Sequence, residues 1–283
     1  MTKYKQKNLI KKVFNELYTE GYSVASGLLN EGTCNRLINI INKLEKKIIK
    51  NKLFFDERSK YGQAIIRDLL LRDPKNFLNL ADNNFVMKVL SNVFKDAFII
   101  DNFMASNSLN VKRSYFGLVH CDGHLPIKES KYSTDVIVLF CLNDFTKENG
   151  ATKIWPKSHL SGIRIQNDKK YSSKIKDNYK YLEAKKGSVV FFLGQTWHQI
   201  GRNINSKKRW AVIAHYKRWW IKPSTDFTKC GSSIFKMLNN KQKELFGFNS
   251  MPPKFNFKKQ VRVLKTLRKV TKINNKYPKV LEY

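Results

Sequence analysis

The stretch from Ala97 to about Trp220 is the part of the chain that most restricts its fold. It contains short runs of β-branched and aromatic residues, separated by polar turn clusters, with no helical pattern between them. The clearest runs are Asp135–Leu142, Gly187–Leu193 and Arg209–Tyr216. Many short strands without intervening helices favour a sandwich or a barrel over a parallel sheet. We therefore expect a mainly β core with flanking helices.

Three consecutive regions are predicted within one elaborated domain. Residues 1–96 read as a helical N-terminal region packed on the core, and residues 97–222 as the β core itself. Residues 223–283 read as a helical, strongly basic extension. Within the core, residues 160–182 are polar and rich in Lys, which predicts either a loop over the mouth of the core or a solvated surface excursion.

Apolar spacings of three and four residues predict helices on both sides of the core. The predicted helices cover residues 8–20, residues 33–50, a segment that begins at Asp82 as its N-cap, and residues 233–246. The tail from Lys254 to Lys279 holds ten Lys or Arg and no acidic residue. It has the pattern of a basic amphipathic helix, which can lie on an anionic membrane, meet an acidic partner or dock on the domain by its apolar stripe.

The chain carries a large excess of basic residues. Its 54 Lys and Arg against 22 Asp and Glu give a formal net charge of +32. A field of this sign attracts nucleic acid, anionic lipid or acidic substrates. Only 11 of the basic residues are Arg, however, and Lys, Asn, Ile, Phe and Tyr are all abundant. The coding bias of an AT-rich genome therefore remains an alternative explanation of the charge.

The cysteines and the apolar segments indicate the compartment. Four cysteines lie far apart without a Cys-x-x-Cys pair, so neither a zinc ribbon nor a disulfide scaffold is expected. The basic N-terminus leads into an amphipathic segment, and no apolar run reaches 18 residues. We therefore expect no secretory signal and no transmembrane span, and a reducing, cytoplasmic location.

One triplet in the core has the composition of a metal site. In His120-Cys121-Asp122, extended backbone projects the imidazole and the carboxylate from one side and turns Cys121 away. His198, after another strand-type run, is the third candidate ligand. Two imidazoles and a carboxylate on one face of an octahedron leave three positions open. Ferrous iron that holds a bidentate cosubstrate and still admits dioxygen suits such a site.

A candidate anion-binding residue follows on the next strand. Alternation places Arg209, Ala211, Ile213 and His215 on one face of that strand. A hairpin from His198 therefore brings a fixed guanidinium beside the third ligand, and a guanidinium binds a carboxylate through two parallel hydrogen bonds.

Three stretches resemble the phytanoyl-CoA dioxygenase family of iron(II)/2-oxoglutarate oxygenases. They are residues 115–122, the run Glu-Asn-Gly-Ala-Thr-Lys-Ile-Trp-Pro-Lys-Ser-His at 148–159, and Trp197-His198 through Arg209. The Asn-Gly-Ala-Thr…Pro-x-Ser-His signature is the most distinctive, and the likeness covers roughly residues 9–248. It implies a double-stranded β-helix, the cupin-like jelly roll, with the metal at its mouth.

The resemblance also implies the roles of individual residues. His120, Asp122 and His198 would bind iron(II), and Arg209 would pair with the distal carboxylate of 2-oxoglutarate. Thr152 and His215 are further candidates to bind the cosubstrate, although His215 also fits a buried core histidine. Family members often carry a small or hydroxylic residue two places after the distal His, and here that residue is Ile200.

Two other histidines receive structural readings. His124 is predicted to lie behind the ligands or at the surface, because the His-x-Asp register needs only positions 120 and 122. His159 closes the signature run and is predicted to be structural.

The implied reaction is hydroxylation of a C–H bond in a small-molecule or carrier-linked substrate. It consumes 2-oxoglutarate and dioxygen and releases succinate and carbon dioxide. Related halogenases carry Gly or Ala at the position of Asp122, so this carboxylate argues for hydroxylation, or for a desaturation or cyclisation variant. A cationic mouth would favour an anionic substrate.

Two alternatives stay open. A nucleic-acid-directed oxygenase would carry a second Arg six residues after the first, where this chain has His215. Nucleic acid is therefore not the expected partner. A non-catalytic, cupin-like binding module recruited by the basic tail is the other alternative, and the intact candidate ligands argue against it.

Overall fold

The computed structural model of the chain describes residues 3–51, 63–110, 118–123, 125, 133–168, 175, 178–205, 207–250, 255–256 and 261–262. The helices of this part are α1 (Lys3–Glu20), α2 (Glu31–Lys50), α3 (Leu69–Arg72), α4 (Pro74–Ala81), α5 (Asn84–Phe94), α6 (Gly231–Met237) and α7 (Asn240–Leu245). The strands are β1 (Tyr22–Ala25), β2 (Gln63–Ile66), β3 (Phe98–Ser108), β4 (Asp135–Cys141), β5 (Lys153–Ile154), β6 (Lys180–Tyr181), β7 (Val189–Leu193), β8 (His198–Gln199), β9 (Arg209–Arg218), β10 (Phe255–Asn256) and β11 (Val261–Arg262).

Two antiparallel sheets form the core. The large sheet has the strand order β1-β7-β4-β9-β3-β2, and the small sheet has the order β6-β5-β8. In β9 the register runs from Arg209 opposite Ser108 to Arg218 opposite Phe98, with a bulge in β3 between Ile100 and Asn102. This arrangement is the mainly β, jelly-roll core with flanking helices that the sequence predicts, and the expected fold class is confirmed.

The two faces of the large sheet bury different sets of side chains. In β4, Val136, Val138 and Phe140 belong to the core formed with the helices. The intervening Ile137 and Leu139 belong to a smaller cluster between the two sheets. All are nearly inaccessible to solvent, and full burial of such a side chain stabilises the fold by roughly 1.5–3 kcal/mol. One face of the sheet thus builds the core, and the other lines the space between the sheets.

Helices with an apolar stripe cover the outer face of the large sheet. In α2 the buried positions are Cys34, Leu37, Ile41 and Ile48, at helical spacing. The helix begins where the side chain of Asn30 accepts a hydrogen bond from the backbone of Thr33, which satisfies one of the first free N–H groups. The N-terminal region is not purely helical, since β1 and β2 form the two edges of the large sheet.

Two predicted helix boundaries are wrong. The N-cap of α5 is Asn83, whose side chain accepts from Phe85 and Val86. Asp82 accepts instead from Gln242, 3.0 Å away, and so ties α7 to the N-terminal helices. The predicted helix over 233–246 is two helices, because Asn239 forms a capping box that starts α7 anew.

The prediction of a helix from Lys254 to Lys279 is wrong where the structure describes that tail. Phe255–Asn256 and Val261–Arg262 are short strands paired with each other. An alternation of apolar residues, Phe255 and Phe257 and then Val261 and Val263, competes here with the helical spacing. Residues 254, 257–260 and 263–279 lie outside the described residues.

No helix of the described chain has both the length and the apolar character needed to span a bilayer.

Candidate metal centre

The three candidate ligands meet at one point between the sheets. His198 lies on β8, and its backbone exchanges two hydrogen bonds with His120, of 3.0 and 2.8 Å. Asp122 follows two residues after His120, so its carboxylate lies beside both imidazoles. Its Oδ1 is 3.7 Å from Nε2 of His120, and its Oδ2 is 3.5 Å from Nε2 of His198. One candidate ligand atom from each residue lies within 4.8 Å of the others.

The backbone sets which ring nitrogen of each histidine faces the site. Nδ1 of His120 lies 2.9 Å from the carbonyl of Leu118, and Nδ1 of His198 lies 3.0 Å from the carbonyl of Thr196. Since a carbonyl only accepts, each Nδ1 carries the proton and each Nε2 offers a lone pair. Burial, then the charge of His120, lowers the pKa of His198 to about 4. His198 is therefore neutral near pH 7, the form that binds a metal.

Cys121 is excluded from the site by the alternation of the extended segment. Its side chain is buried with Trp155, Ile165 and Trp197, and burial raises the pKa of its thiol. Gly123, two residues after Cys121, approaches the turn after β7 closely. A Cβ there would lie 2.5 Å from Nε2 of Gln195, and the Gly123 N–H donates to the carbonyl of Gly194 at 2.7 Å.

A cavity of about 510 Å³ opens at these residues. Apolar side chains from both sheets form most of its wall, together with neutral polar side chains and the ligands. The lining residues are Gln63, Ile65, Met104, Ser106, Leu118, His120, Asp122, Ile137, Leu139, Phe145, Thr152, Gln166, Phe192, His198, Ile200, Arg209, Ala211, Ile213 and His215.

Arg209 presents a buried cation to this cavity. Its Nε donates to Oγ of Ser108 at 3.1 Å and to the carbonyl of Asn149 at 3.3 Å, and its guanidinium carbon lies 3.9 Å from the ring centroid of Phe145. None of the carboxylates in the described residues forms an ion pair with it. Burial lowers its pKa to about 10, which still leaves the group charged near pH 7.

The signature run shapes the floor beneath Arg209. The carbonyl of Asn149 accepts from both Arg209 and Ser108, and the side chain of Asn149 accepts from the backbone of Thr146. Gly150 has φ +82°, and a Cβ there would lie 2.8 Å from the carbonyl of Gly201. Glycine at this position therefore permits the close approach of two turns.

Helix α2 fixes the residues on both sides of Arg209. Lys208 forms a 2.6 Å ion pair with the buried Glu45, and the indole N–H of Trp210 donates to Asn42 at 3.0 Å. The position of the guanidinium thus depends on contacts that lie on the opposite face of the sheet from the cavity.

His215 lies between the ligands and a buried ionic cluster. Its Nε2 is 3.5 Å from Oδ2 of Asp122, and its Nδ1 is 3.9 Å from Asp101. Lys217, on the same face of β9, lies 2.9 Å from Asp101 and 4.0 Å from Asp135. Burial acts to raise the pKa of Asp101, but hydrogen bonds from Lys217 and Ser224 outweigh it and lower the pKa. Burial prevails at Asp135 and raises its pKa.

The remaining predicted residues lie as follows. Thr152 and Ile200 line the cavity. His159 is buried away from it, with Nε2 3.1 Å from the carbonyl of Tyr18. His124 lies outside the described residues.

Sequence reasoning missed part of the cavity wall. Gln63 and Ile65 of β2 enter from the N-terminal region, which was predicted to be helical and to pack on the core. Gln166 enters from the segment 160–182, where Ile165 is buried, so this turn is not a solvated surface excursion. The loop over the mouth stays a prediction. The sequence pattern could have indicated that Lys217 shares the face of Arg209, because Lys217 continues the alternation that begins at Arg209.

Comparisons with known proteins identify the family and the fold of the chain. Residues 17–211 match the phytanoyl-CoA dioxygenase family. An uncharacterized protein of Mycobacterium tuberculosis is 24% identical over 253 residues, which cover 84% of this chain and 87% of that protein. Among solved structures, HygX from Streptomyces hygroscopicus with nickel and 2-oxoglutarate bound has a TM-score of 0.59 at 14% identity, covering 75% of this chain and 88% of HygX.

A second solved structure is the epimerase SnoN in complex with Fe3+, alpha ketoglutarate and nogalamycin RO. It has a TM-score of 0.58 at 14% identity, covering 75% of this chain and 84% of SnoN. Both structures share the jelly-roll fold with this chain. The family match extends over more than half of the sequence and includes all three candidate ligands and Arg209. The chain therefore belongs to the phytanoyl-CoA dioxygenase family and is an iron(II)- and 2-oxoglutarate-dependent oxygenase.

Proposed function

We propose that His120, Asp122 and His198 hold the iron, that Arg209 binds the distal carboxylate of 2-oxoglutarate, and that the enzyme hydroxylates a C–H bond of a small molecule. One observation supports this most strongly. The ligand atoms and the guanidinium of Arg209 line the same cavity, and no carboxylate of the described residues pairs with that guanidinium. A buried cation without an anion is a ready site for an anionic ligand.

The donor set fits ferrous iron. It offers two neutral imidazole nitrogens and one carboxylate, the ligands of the two-histidine, one-carboxylate sites that leave positions open. When bound there, iron supplies dioxygen activation coupled to decarboxylation of 2-oxoglutarate. In the neutral imidazoles, the hydrogen bonds from Nδ1 to carbonyls leave the lone pair on each Nε2, which faces the site.

Arg209 orients the cosubstrate because its own geometry is fixed. Nε is engaged by Ser108 and Asn149, so the two terminal nitrogens remain for a carboxylate. The ring of Phe145, 3.9 Å from the guanidinium carbon, forms the apolar wall beside this contact and helps to exclude water from it. Thr152 and His215 stay predictions as cosubstrate contacts, and both line the cavity.

The cavity favours a small molecule rather than a polymer. Besides the ligands and Arg209, its described polar lining consists of Gln63, Ser106, Thr152, Gln166 and His215. The structural relative SnoN was solved with nogalamycin RO, a small molecule. A volume of about 510 Å³ suits a ligand of that kind. Contact of the segment 254–279 with anionic membrane and a cytoplasmic location remain predictions.

Succinate formation tests the proposal. The wild-type protein, supplied with iron(II), 2-oxoglutarate and dioxygen across a panel of small molecules, is expected to form succinate. Hydroxylation transfers one ¹⁸O atom from labelled dioxygen to the product, whereas epimerisation or desaturation does not. Asp122→Ala and His198→Ala are expected to abolish turnover because each removes a ligand, and Glu183→Ala, at the surface, is the control. Unchanged succinate formation in Asp122→Ala would refute the assignment.

A further inference from the structure

The ligand-bearing segment 120–123 is an extended chain, and among the described residues one strand, β8, pairs with it. His120 uses its N–H and its carbonyl to pair with His198 on β8. In extended backbone, the N–H and carbonyl of the next residue point to the opposite edge. Those of Cys121 therefore face away from β8, toward an edge where no described strand pairs with them.

The side chain of Gln166 occupies that edge. Its Oε1 accepts from the N–H of Cys121 at 3.2 Å, and its Nε2 donates to the carbonyl of Cys121 at 2.9 Å. These are the two hydrogen bonds that a neighbouring strand would make. The carboxamide of Gln166 thus takes the place of a neighbouring strand beside Cys121, the residue that joins the two ligands His120 and Asp122.

The turn that carries Gln166 is held in place by packing and by a hydrogen bond. Gln166 lies in the 3₁₀ turn Ile165–Asn167, and the side chain of Ile165 is fully buried against Trp155 and Trp197. The indole N–H of Trp197 donates to the carbonyl of Ile163 at 3.0 Å. Trp197 directly precedes His198, so the turn that carries Gln166 is anchored next to the third ligand.

We propose that Gln166 is a positioning residue of the iron site: its carboxamide fixes the direction in which His120 and Asp122 project. The inference rests on the proposed function, since it presumes that these residues hold the metal. Without the two hydrogen bonds from Gln166, the segment around Cys121 is paired on one edge only. Asp122 can then rotate away from the two imidazoles. Loss of outer contacts that orient metal ligands lowers metal affinity by roughly 10- to 100-fold.

Cobalt(II) binding tests the proposal without turnover. Gln166→Met keeps the length of the side chain but removes both hydrogen bonds, and Gln166→Glu keeps the acceptor and removes the donor. Titration with Co(II), followed by its visible absorption, is expected to show affinity about 10- to 100-fold lower in Gln166→Met, with an altered spectrum. Gln166→Glu is expected to fall between, and it provides the comparison if the methionine variant does not fold.

Gln242→Met is the matched control. Gln242 is also buried, and its side chain also accepts from one backbone N–H, that of Asn239, and donates to one oxygen, on Asp82. It lies in α7, among residues that do not line the cavity. Its variant is expected to lose stability while it keeps the cobalt affinity and spectrum of the wild type.

The outcomes distinguish a failure of the positioning role from a failure of the proposed metal site. Wild-type affinity and spectrum in Gln166→Met would overturn the positioning role, and so would an equal loss in Gln242→Met. If the wild type bound no cobalt, or Asp122→Ala bound it as well as the wild type, the proposed metal site itself would fail.

Discussion

Arg209 and Lys217 are two buried cations on the same face of one strand, and their surroundings differ. Lys217 lies 2.9 Å from Asp101 and 4.0 Å from Asp135, so its charge is balanced within the protein. Arg209 contacts a hydroxyl, a carbonyl and the face of an aromatic ring. Both ends exclude water, but only the Lys217 end supplies carboxylates among the described residues.

The difference separates structure from ligand binding. A buried ion pair is kept because removal of one partner leaves an uncompensated charge. Burial of a cation without an anion lowers the stability of the ligand-free protein. That stability is recovered only when an anion binds. The Lys217 end is therefore complete as it stands, whereas the Arg209 end fits the proposal that a carboxylate from outside binds there.

Removal of each charge is expected to give the largest contrast in stability. Lys217→Met leaves Asp101 and Asp135 buried without their cation and should lower the free energy of unfolding by about 3–5 kcal/mol. Arg209→Met removes an unpaired charge and two hydrogen bonds and should change it by less than about 1.5 kcal/mol. Urea unfolding of the metal-free proteins measures both, and equal losses would show that Arg209 is structural.

For cosubstrate affinity the order of the two residues is expected to reverse, with the larger effect at Arg209 and the smaller at Lys217. Arg209→Met should weaken 2-oxoglutarate binding by at least about 30-fold, which corresponds to the lower limit of about 2 kcal/mol for a buried charge pair. Anaerobic calorimetry with manganese(II) in the site measures it. Arg218→Met is the control, because Arg218 is also buried on β9 and its Nε also donates to a carbonyl, that of Ser133. Affinity retained in Arg209→Met would contradict the assignment.

The smallest expected effect concerns a third buried base, His198. Its pKa is lowered to about 4 in the folded protein, so the unfolded chain binds more protons between that value and the ordinary one of about 6.5. Stability of the metal-free protein should therefore fall as the pH falls through this range, by roughly 1 kcal/mol from pH 6 to pH 5. Unfolding in the presence of a chelator measures it, and His198→Gln should flatten the dependence. An unchanged slope in this variant would assign the effect to other groups.

The sequence predicted the parts of the site that depend on local alternation. The run Arg209–Tyr216 is a strand, as expected, and its odd-numbered residues from Arg209 to His215 all line the cavity. The prediction of ligands in the triplet around Cys121 and after the run that precedes His198 likewise depended only on local structure. It required that the His-x-Asp triplet be extended and that a hairpin follow His198. The fold class and the family were both confirmed.

Contacts between distant segments were beyond the sequence. Gln166 meets Cys121, 45 residues away, and Gln63 bonds to Ser106, 43 residues away. Neither pair has a spacing or a residue type that marks it. The approach of Asp101 to Lys217 depends on the bulge of β3 between Ile100 and Asn102, which no pattern of residues announced.

The attachment of α2 to both neighbours of Arg209 has a consequence for inheritance and selection. Asn42 and Glu45 touch neither metal nor cosubstrate, yet they hold the backbone on which the guanidinium is mounted. Under the role proposed for Arg209, a substitution at either site is expected to weaken cosubstrate binding, although the changed residue lies in a helix on the far side of the sheet. Screens that examine only the lining of the cavity would pass over both positions.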